Sequence, residues 1–237
     1  MKKPPNITTR QGGKARILKF PDGFLWGSAI SAYQVEGGIT NNDWENQNRI
    51  AKPGRACDHY HRFQEDFLIA KKLRHNAIRL SVEWSRIAPA EGNWNEEELD
   101  HYEHVLDMLK EKGFTTFVTL HHFTNPIWFS AQGGWANKKS VGQFAVFTDK
   151  VVDRLGELVD FWVTINEPNI YANLSYLRGR WPPFESSSWL TYRVYRNMLE
   201  AHNRAYEVIH AYYPEALVGF AQNISYNEAG NPDSPWD

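Results

Sequence analysis

Residues 161–169 read Phe-Trp-Val-Thr-Ile-Asn-Glu-Pro-Asn, an apolar strand-like run that delivers Asn166 and Glu167 at its end and stops on Pro168. A carboxyl group placed there is positioned for chemistry. In parallel α/β architectures the strand ends open onto the ligand-binding face, and a Pro directly after them cannot continue the ladder. Without chemistry, the same residues read as a surface Glu in a loop between strand and helix, with Asn166 capping that loop.

Other residue clusters point to less. Among nine histidines, His59 and His61 are close in sequence, and His101 and His104 have helical spacing. There is no His-Glu-Xaa-Xaa-His and no Cys pair, so no metal site is expected. No Gly-Xaa-Gly-Xaa-Xaa-Gly or phosphate-loop pattern occurs, and no cofactor is implied. With 10 Trp and 11 Tyr the chain is rich in flat apolar faces with polar edges, which suit sugar rings. Most such rings pack into a core. Those expected at strand ends, Trp84 and Trp135, are the candidates for lining a site.

At 237 residues, with 42% hydrophobic and 23% charged, the chain has a globular composition and the length to bury a sizeable core. A formal net charge of -2, with cations and acids interleaved, gives no field for a polyanion, so nucleic acid is not an expected partner. The single cysteine, Cys57, excludes an internal disulfide framework and reads as a small buried residue. No apolar run has the length of a signal peptide core or a membrane span, and the expectation is a soluble, cytoplasmic protein.

The elements that must position these residues alternate short apolar runs with longer amphipathic ones, the pattern of strand-helix units and a parallel sheet. Strands are predicted at residues 24–30, 77–82, 116–120, 161–165 and 217–222. Helices are predicted at 60–72, with Phe63, Phe67, Ala70 and Leu73 near one face, and from Asn95, with Leu99, Tyr102, Val105, Leu106 and Leu109 inward. Asn95 and Glu98 have capping-box spacing, and Gly113 closes that helix. Further helices are predicted at 139–155 and 189–213, the last ended by Pro214. No linker or second domain is evident.

Several blocks along the chain match one family in order. The 161–169 segment resembles the Thr-(Ile/Leu/Phe)-Asn-Glu-Pro signature of family 1 glycoside hydrolases, the β-glucosidase and β-galactosidase group. Phe20-Pro21-Asp22-Gly23-Phe24-Leu25-Trp26-Gly27-Ser28-Ala29 and Ala32-Tyr33-Gln34-Val35-Glu36-Gly37 resemble its amino-terminal signature. Ala56-Cys57-Asp58-His59-Tyr60-His61-Arg62, residues 78–87 and Val118-Thr119-Leu120-His121-His122-Phe123 match as well. The resemblance implies an α/β fold of (β/α)8 TIM-barrel type, represented by about its first four to five strand-helix units. Residues 1–19 are then an amino-terminal extension, and 20–237 the amino-terminal part of the barrel. Five units do not close an eight-stranded barrel, so self-association or a complementing barrel fragment is expected.

Glu167 matches the family's general acid and base, and Asn166 the residue that bonds the sugar 2-hydroxyl. Gln34 and His122 match residues holding other sugar hydroxyls. Arg79 matches the arginine that keeps the nucleophilic carboxylate ionised. Asn223 corresponds in position to a family Asn near the same site. The partner implied is a β-glucoside or related saccharide. The nucleophile's (Ile/Val)-Thr-Glu-Asn-Gly segment is not found in these residues, and Glu36, Glu45 and Glu83 are unconvincing replacements. Glu83 reads as structural or as pairing with an Arg. The alternative is a catalytically inactive barrel fragment with a sugar-binding or assembly role. His121-His122-Phe123-Thr124 replaces the family's Tyr-His-Trp-Asp, with Phe in place of Trp.

Overall fold

The computed structural model describes residues 19–226, so the expected amino-terminal extension and the chain's last eleven residues lie almost wholly outside the described part. Five strands, β1 (Gly27–Ala29), β2 (Ala77–Ser81), β3 (Thr115–His121), β4 (Phe161–Asn166) and β5 (Leu217–Ala221), pair in chain order, and every pairing is parallel. The intervening helices are α1 (Ala32–Val35), α2 (His59–Lys72), α3 (Trp84–Ile87), α4 (Glu96–Glu111), α5 (Ile127–Ala131), α6 (Ser140–Leu155), α7 (Pro168–Ala172) and α8 (Ser188–Tyr212).

Alternation along the strands makes two layers. Ile78 and Leu80 of β2, Val118 and Leu120 of β3 and Trp162 of β4 are buried in the core beneath the helices, while Arg79, Phe117 and Phe161 between them face the concave side. Register aligns Ala29, Arg79, Phe117, Phe161 and Leu217 in one row. In that row Phe117 and Phe161 stack, with centroids 4.3 Å apart and planes 6° from parallel. The helix layer buries Leu99, Leu106 and Leu109 of α4, Phe144, Phe147 and Val151 of α6, and Val194, Met198 and Ala201 of α8. Each of these side chains larger than alanine contributes about 1.5–3 kcal/mol through apolar surface withdrawn from water.

The sheet stays open. Among the described residues β1 pairs only with β2 and β5 only with β4, and large exposed apolar side chains gather at these two ends. Phe20, Phe24 and Trp26 form an exposed three-ring cluster beside β1, and Leu217, Phe220, Ile224 and Tyr226 are exposed at β5. Leu73, expected to face inward, is 65% exposed. It follows the last residue of α2 and leaves the helical stripe as the chain turns through the left-handed Arg74. Cys57, expected to be buried, is also exposed, in the turn before α2.

β1 is shorter than the predicted 24–30. Its pairing nevertheless continues outside the strand, with Asn76 N donating to Trp26 O and Ile30 N to Arg79 O. The four predicted long helices form within a residue of their expected limits. At α4 only half of the capping box forms. Asn95 Oδ1 accepts from Glu97 N at 3.1 Å and Glu98 N at 3.4 Å, but the Glu98 carboxylate accepts from Tyr60 Oη at 3.0 Å. The lysine after α4 is followed by Gly113, whose φ of 66° reverses the chain into β3. Replacement of Asn95 by Ala removes the cap and is expected to cost about 1 kcal/mol in urea unfolding. An unchanged midpoint would show that the cap contributes nothing.

Candidate active site

The candidate residues meet where the strands end. Arg79 stands on the concave face of β2, its Nε donating to Thr119 Oγ1 at 2.9 Å and its Nη2 to Asn166 Oδ1 at 2.6 Å. One guanidinium thus spans from β2 across β3 to the end of β4. Since guanidinium only donates, the bond fixes the Asn166 amide with its oxygen toward Arg79 and leaves Nδ2 as its free donor. Burial pulls the Arg79 pKa below its ordinary value, and the Glu167 carboxylate acts in the opposite sense. The guanidinium stays cationic throughout the physiological range.

Glu167 follows β4 directly. A register irregularity between Val163 and Asn166 precedes it, and its own backbone is left-handed, φ 44° and ψ 59°. That conformation is costly for a residue with a Cβ, and such outliers concentrate at functional sites. Three bonds hold the turn: Glu167 N donates to Ala221 O at 2.7 Å, Tyr171 N donates to Glu167 O at 3.0 Å, and Asn223 Nδ2 donates to Glu167 Oε1 at 3.2 Å. Pro168 occupies the first turn of α7, where its missing N–H leaves no bond unmade.

Gln34 and His122 follow β1 and β3 at the same end of the sheet. Gln34 is exposed on α1, and its Oε1 accepts from Ser31 Oγ at 2.7 Å. His122 has a buried Nδ1 without a protein partner. Burial, with the Arg79 charge second, pulls its pKa down to about 3, so the ring is neutral. The structure therefore joins Arg79, Asn166, Glu167 and Asn223 by direct contacts or charge, and sets Gln34 and His122 around the same face without hydrogen bonds to them.

Trp84 and Trp135 do not line this face. Trp84 is 2% exposed and stacks on Phe147 at 4.9 Å, and Trp135 is 0% exposed among Phe129, Phe144 and His121. Both lie in the helix layer, because the chain turns outward into α3 and toward α6 directly after the strands. The partly exposed aromatic wall comes from other loops: Trp44 and Trp181 lie 5.2 Å apart, and Phe123 lies 4.8 Å from Trp181. Sequence reasoning also passed over Thr119, which takes the Arg79 bond, and Asn169, whose Nδ2 donates to Asn223 O at 2.8 Å. Thr119 was open to detection as a polar residue at an inward position of an apolar strand. Asn169 carried no such signal.

Three other carboxyls near this end are committed elsewhere. Glu36 accepts from Tyr102 Oη and Arg86 Nε, both at 2.9 Å, and burial pushes its pKa up to about 7. Glu83 accepts from Ser85 Oγ and Thr124 Oγ1, and burial raises it as well. Arg86, beside it, forms its ion pairs with Glu36 and Glu98 instead. Glu45 accepts from Tyr33 Oη at 2.9 Å.

The profile of glycosyl hydrolase family 1 matches residues 17–236. The chain belongs to family 1. β-Glucosidase A of Thermotoga maritima is 36% identical over 227 residues, which are 90% of this chain and 50% of that protein. Lactase/phlorizin hydrolase of Rattus norvegicus is 31% identical over 90% of this chain and 12% of its own length. Among solved structures, the T. maritima β-glucosidase in complex with castanospermine superposes with a TM-score of 0.87 at 35% identity, covering 91% of this chain and 52% of that one. The β-glycosidase from Pyrococcus horikoshii gives 0.81 at 38% identity, covering 87% and 49%. The chain thus spans about half the length of the first curated relatives it matches. Its open sheet is part of a (β/α)8 barrel. Among the described residues, no helix is long and apolar enough to cross a membrane.

The neutrality of His122 is testable. A histidine whose folded pKa lies near 3 binds fewer protons than the unfolded chain between that value and about 6.5, so its contribution to stability falls as pH drops through that window. Its ring nitrogen shifts are expected to remain those of a neutral imidazole from pH 8 to about 4.5. A titration midpoint near 6.5 would show a solvated ring instead.

Proposed function

We propose that this chain supplies the acid/base half of a retaining β-glycosidase of β-glucosidase type. The observation that carries this reading is the end of β4, where Asn166 is bonded to Arg79 and the adjacent Glu167 to Asn223, in a chain belonging to family 1. Its substrate is a β-glucoside or related saccharide, in keeping with the castanospermine and deoxynojirimycin named in the T. maritima complexes.

Glu167 in its protonated form donates to the glycosidic oxygen as the bond to the anomeric carbon breaks, and the aglycone leaves as an alcohol. The anomeric carbon is captured by a second carboxylate, about 5–5.5 Å away in retaining enzymes, to form a glycosyl-enzyme. Glu167, now ionised, takes a proton from water as that water attacks the same carbon, releasing the sugar and the nucleophile. The free Nδ2 of Asn166 donates to the sugar 2-hydroxyl oxygen, and Gln34 and neutral His122 bond other hydroxyls. Arg79 holds the nucleophile ionised. Trp44, Trp181 and Phe123 offer apolar faces to the rings of the ligand.

The nucleophile belongs to a segment outside these residues, and the part of the barrel that carries it joins through the open edges at β1 and β5. Those same edges favour a second reading, an inactive barrel fragment that binds sugar or serves in assembly.

Release of nitrophenol from an aryl β-glucoside by the chain mixed with a barrel fragment that carries the nucleophile segment separates the two. Turnover that needs both pieces and drops by about 10²–10⁴ in Glu167→Gln is expected of a site assembled between them. Turnover that is absent, or equal in Glu167→Gln, leaves the second reading.

A further inference from the structure

Asn125, four residues past the end of β3, is 1% exposed, and its side chain is bonded on both sides. Its Oδ1 accepts from Trp135 Nε1 at 2.9 Å, and its Nδ2 donates to Asp43 Oδ2 at 2.8 Å and to Tyr171 Oη at 3.0 Å. An indole only donates, which decides the orientation of the amide. His121 Nε2 lies 3.1 Å from the same oxygen. The same Nε2 lies 3.2 Å from Trp135 Nε1, and the Nδ1 of His121 is buried without a partner. The backbone is tied as well: Asn125 N donates to Asp43 Oδ1 and Asp43 N to Asn125 O, both at 2.9 Å.

One buried amide is therefore the junction of three segments: the loop after β1 through Asp43, the turn before α6 through Trp135, and α7 through Tyr171. The third matters for chemistry. α7 begins at the residue after Glu167, and the Tyr171 amide closes its first turn on the Glu167 carbonyl. With Glu167 in a left-handed conformation, the direction of its side chain depends on how the helix after it is seated.

We infer that Asn125 is a positioning residue for Glu167: by holding the Tyr171 hydroxyl it seats α7, and the seated first turn fixes the Glu167 carboxyl at the end of β4. Its catalytic meaning rests on Glu167 being the acid/base; the mechanical linkage does not.

Hydrogen exchange in the whole chain tests the linkage without turnover. In Asn125→Leu, the amide at position 171 is expected to exchange about tenfold faster, while those of Val118 and Leu120 in β3 keep their rates. Tyr171→Phe, which deletes one oxygen and leaves the core filled, is expected to act the same way at position 171 while the Trp135 indole N–H resonance stays in place. Unchanged protection at position 171 in Tyr171→Phe overturns the inference, even if Asn125→Leu does not fold. Equal acceleration at positions 118, 120 and 171 in either variant overturns it too, since that is general loosening of the core. Failure of Glu167→Gln to alter glucoside turnover would remove the acid/base reading and leave the exchange result standing.

Discussion

The constraint on which the rest depends is the parallel pairing of five strands with Ala29, Arg79, Phe117, Phe161 and Leu217 in one register row. Parallel strands send every carboxyl end to the same side, and whatever follows each strand is gathered there. Gln34 after β1, His122 after β3, Asn166 and Glu167 at β4 and Asn223 after β5 are separated by up to 189 positions in the chain, yet they border one face. Arg79 turns that proximity into geometry. Its fork reaches over β3 and orients an amide on β4, with an accuracy that loop packing alone does not supply.

Beneath this face the chain buries carboxyls at a cost that only specific partners offset. Glu36 takes donors from Arg86 and Tyr102 and Asp43 from Asn125 and Ser130, all distant in sequence, while Glu83 takes Thr124 from such a segment and Ser85 from two residues on. Burial raises the pKa of all three. These contacts tie the irregular loop after β1 to the ends of β2 and β3, where an apolar contact would allow sliding. A hydrogen-bonded carboxyl has one seat.

Periodicity made the long elements legible. Leu99, Tyr102, Val105, Leu106 and Leu109 mark the inner face of α4 locally, and all five are buried. The strands 77–81, 115–121 and 161–166 were equally plain from their apolar runs. The short helices α1, α3, α5 and α7 escaped because four or five residues do not complete enough turns for a stripe to show. Trp84 and Trp135 were misplaced for a nonlocal reason: whether a Trp after a strand looks toward the cleft or the helix layer depends on partners such as Phe147, and the sequence carries no sign of that distance. Cys57 and Leu73 failed likewise, since a small or apolar side chain at the end of an element follows the turn. Asn166 and Glu167 were readable because motif and strand end coincide there. Asn125 was not, because its role exists only once Asp43, Trp135 and Tyr171 have been brought to it.

The left-handed backbone at Glu167 has a further meaning in terms of inheritance. Judged by conformation alone, position 167 would drift toward glycine or asparagine, which occupy that region at little cost. A glutamate there is the less stable choice for the backbone, and glycine or asparagine would relieve it. Backbone conformation and a carboxyl side chain ask this position for different amino acids.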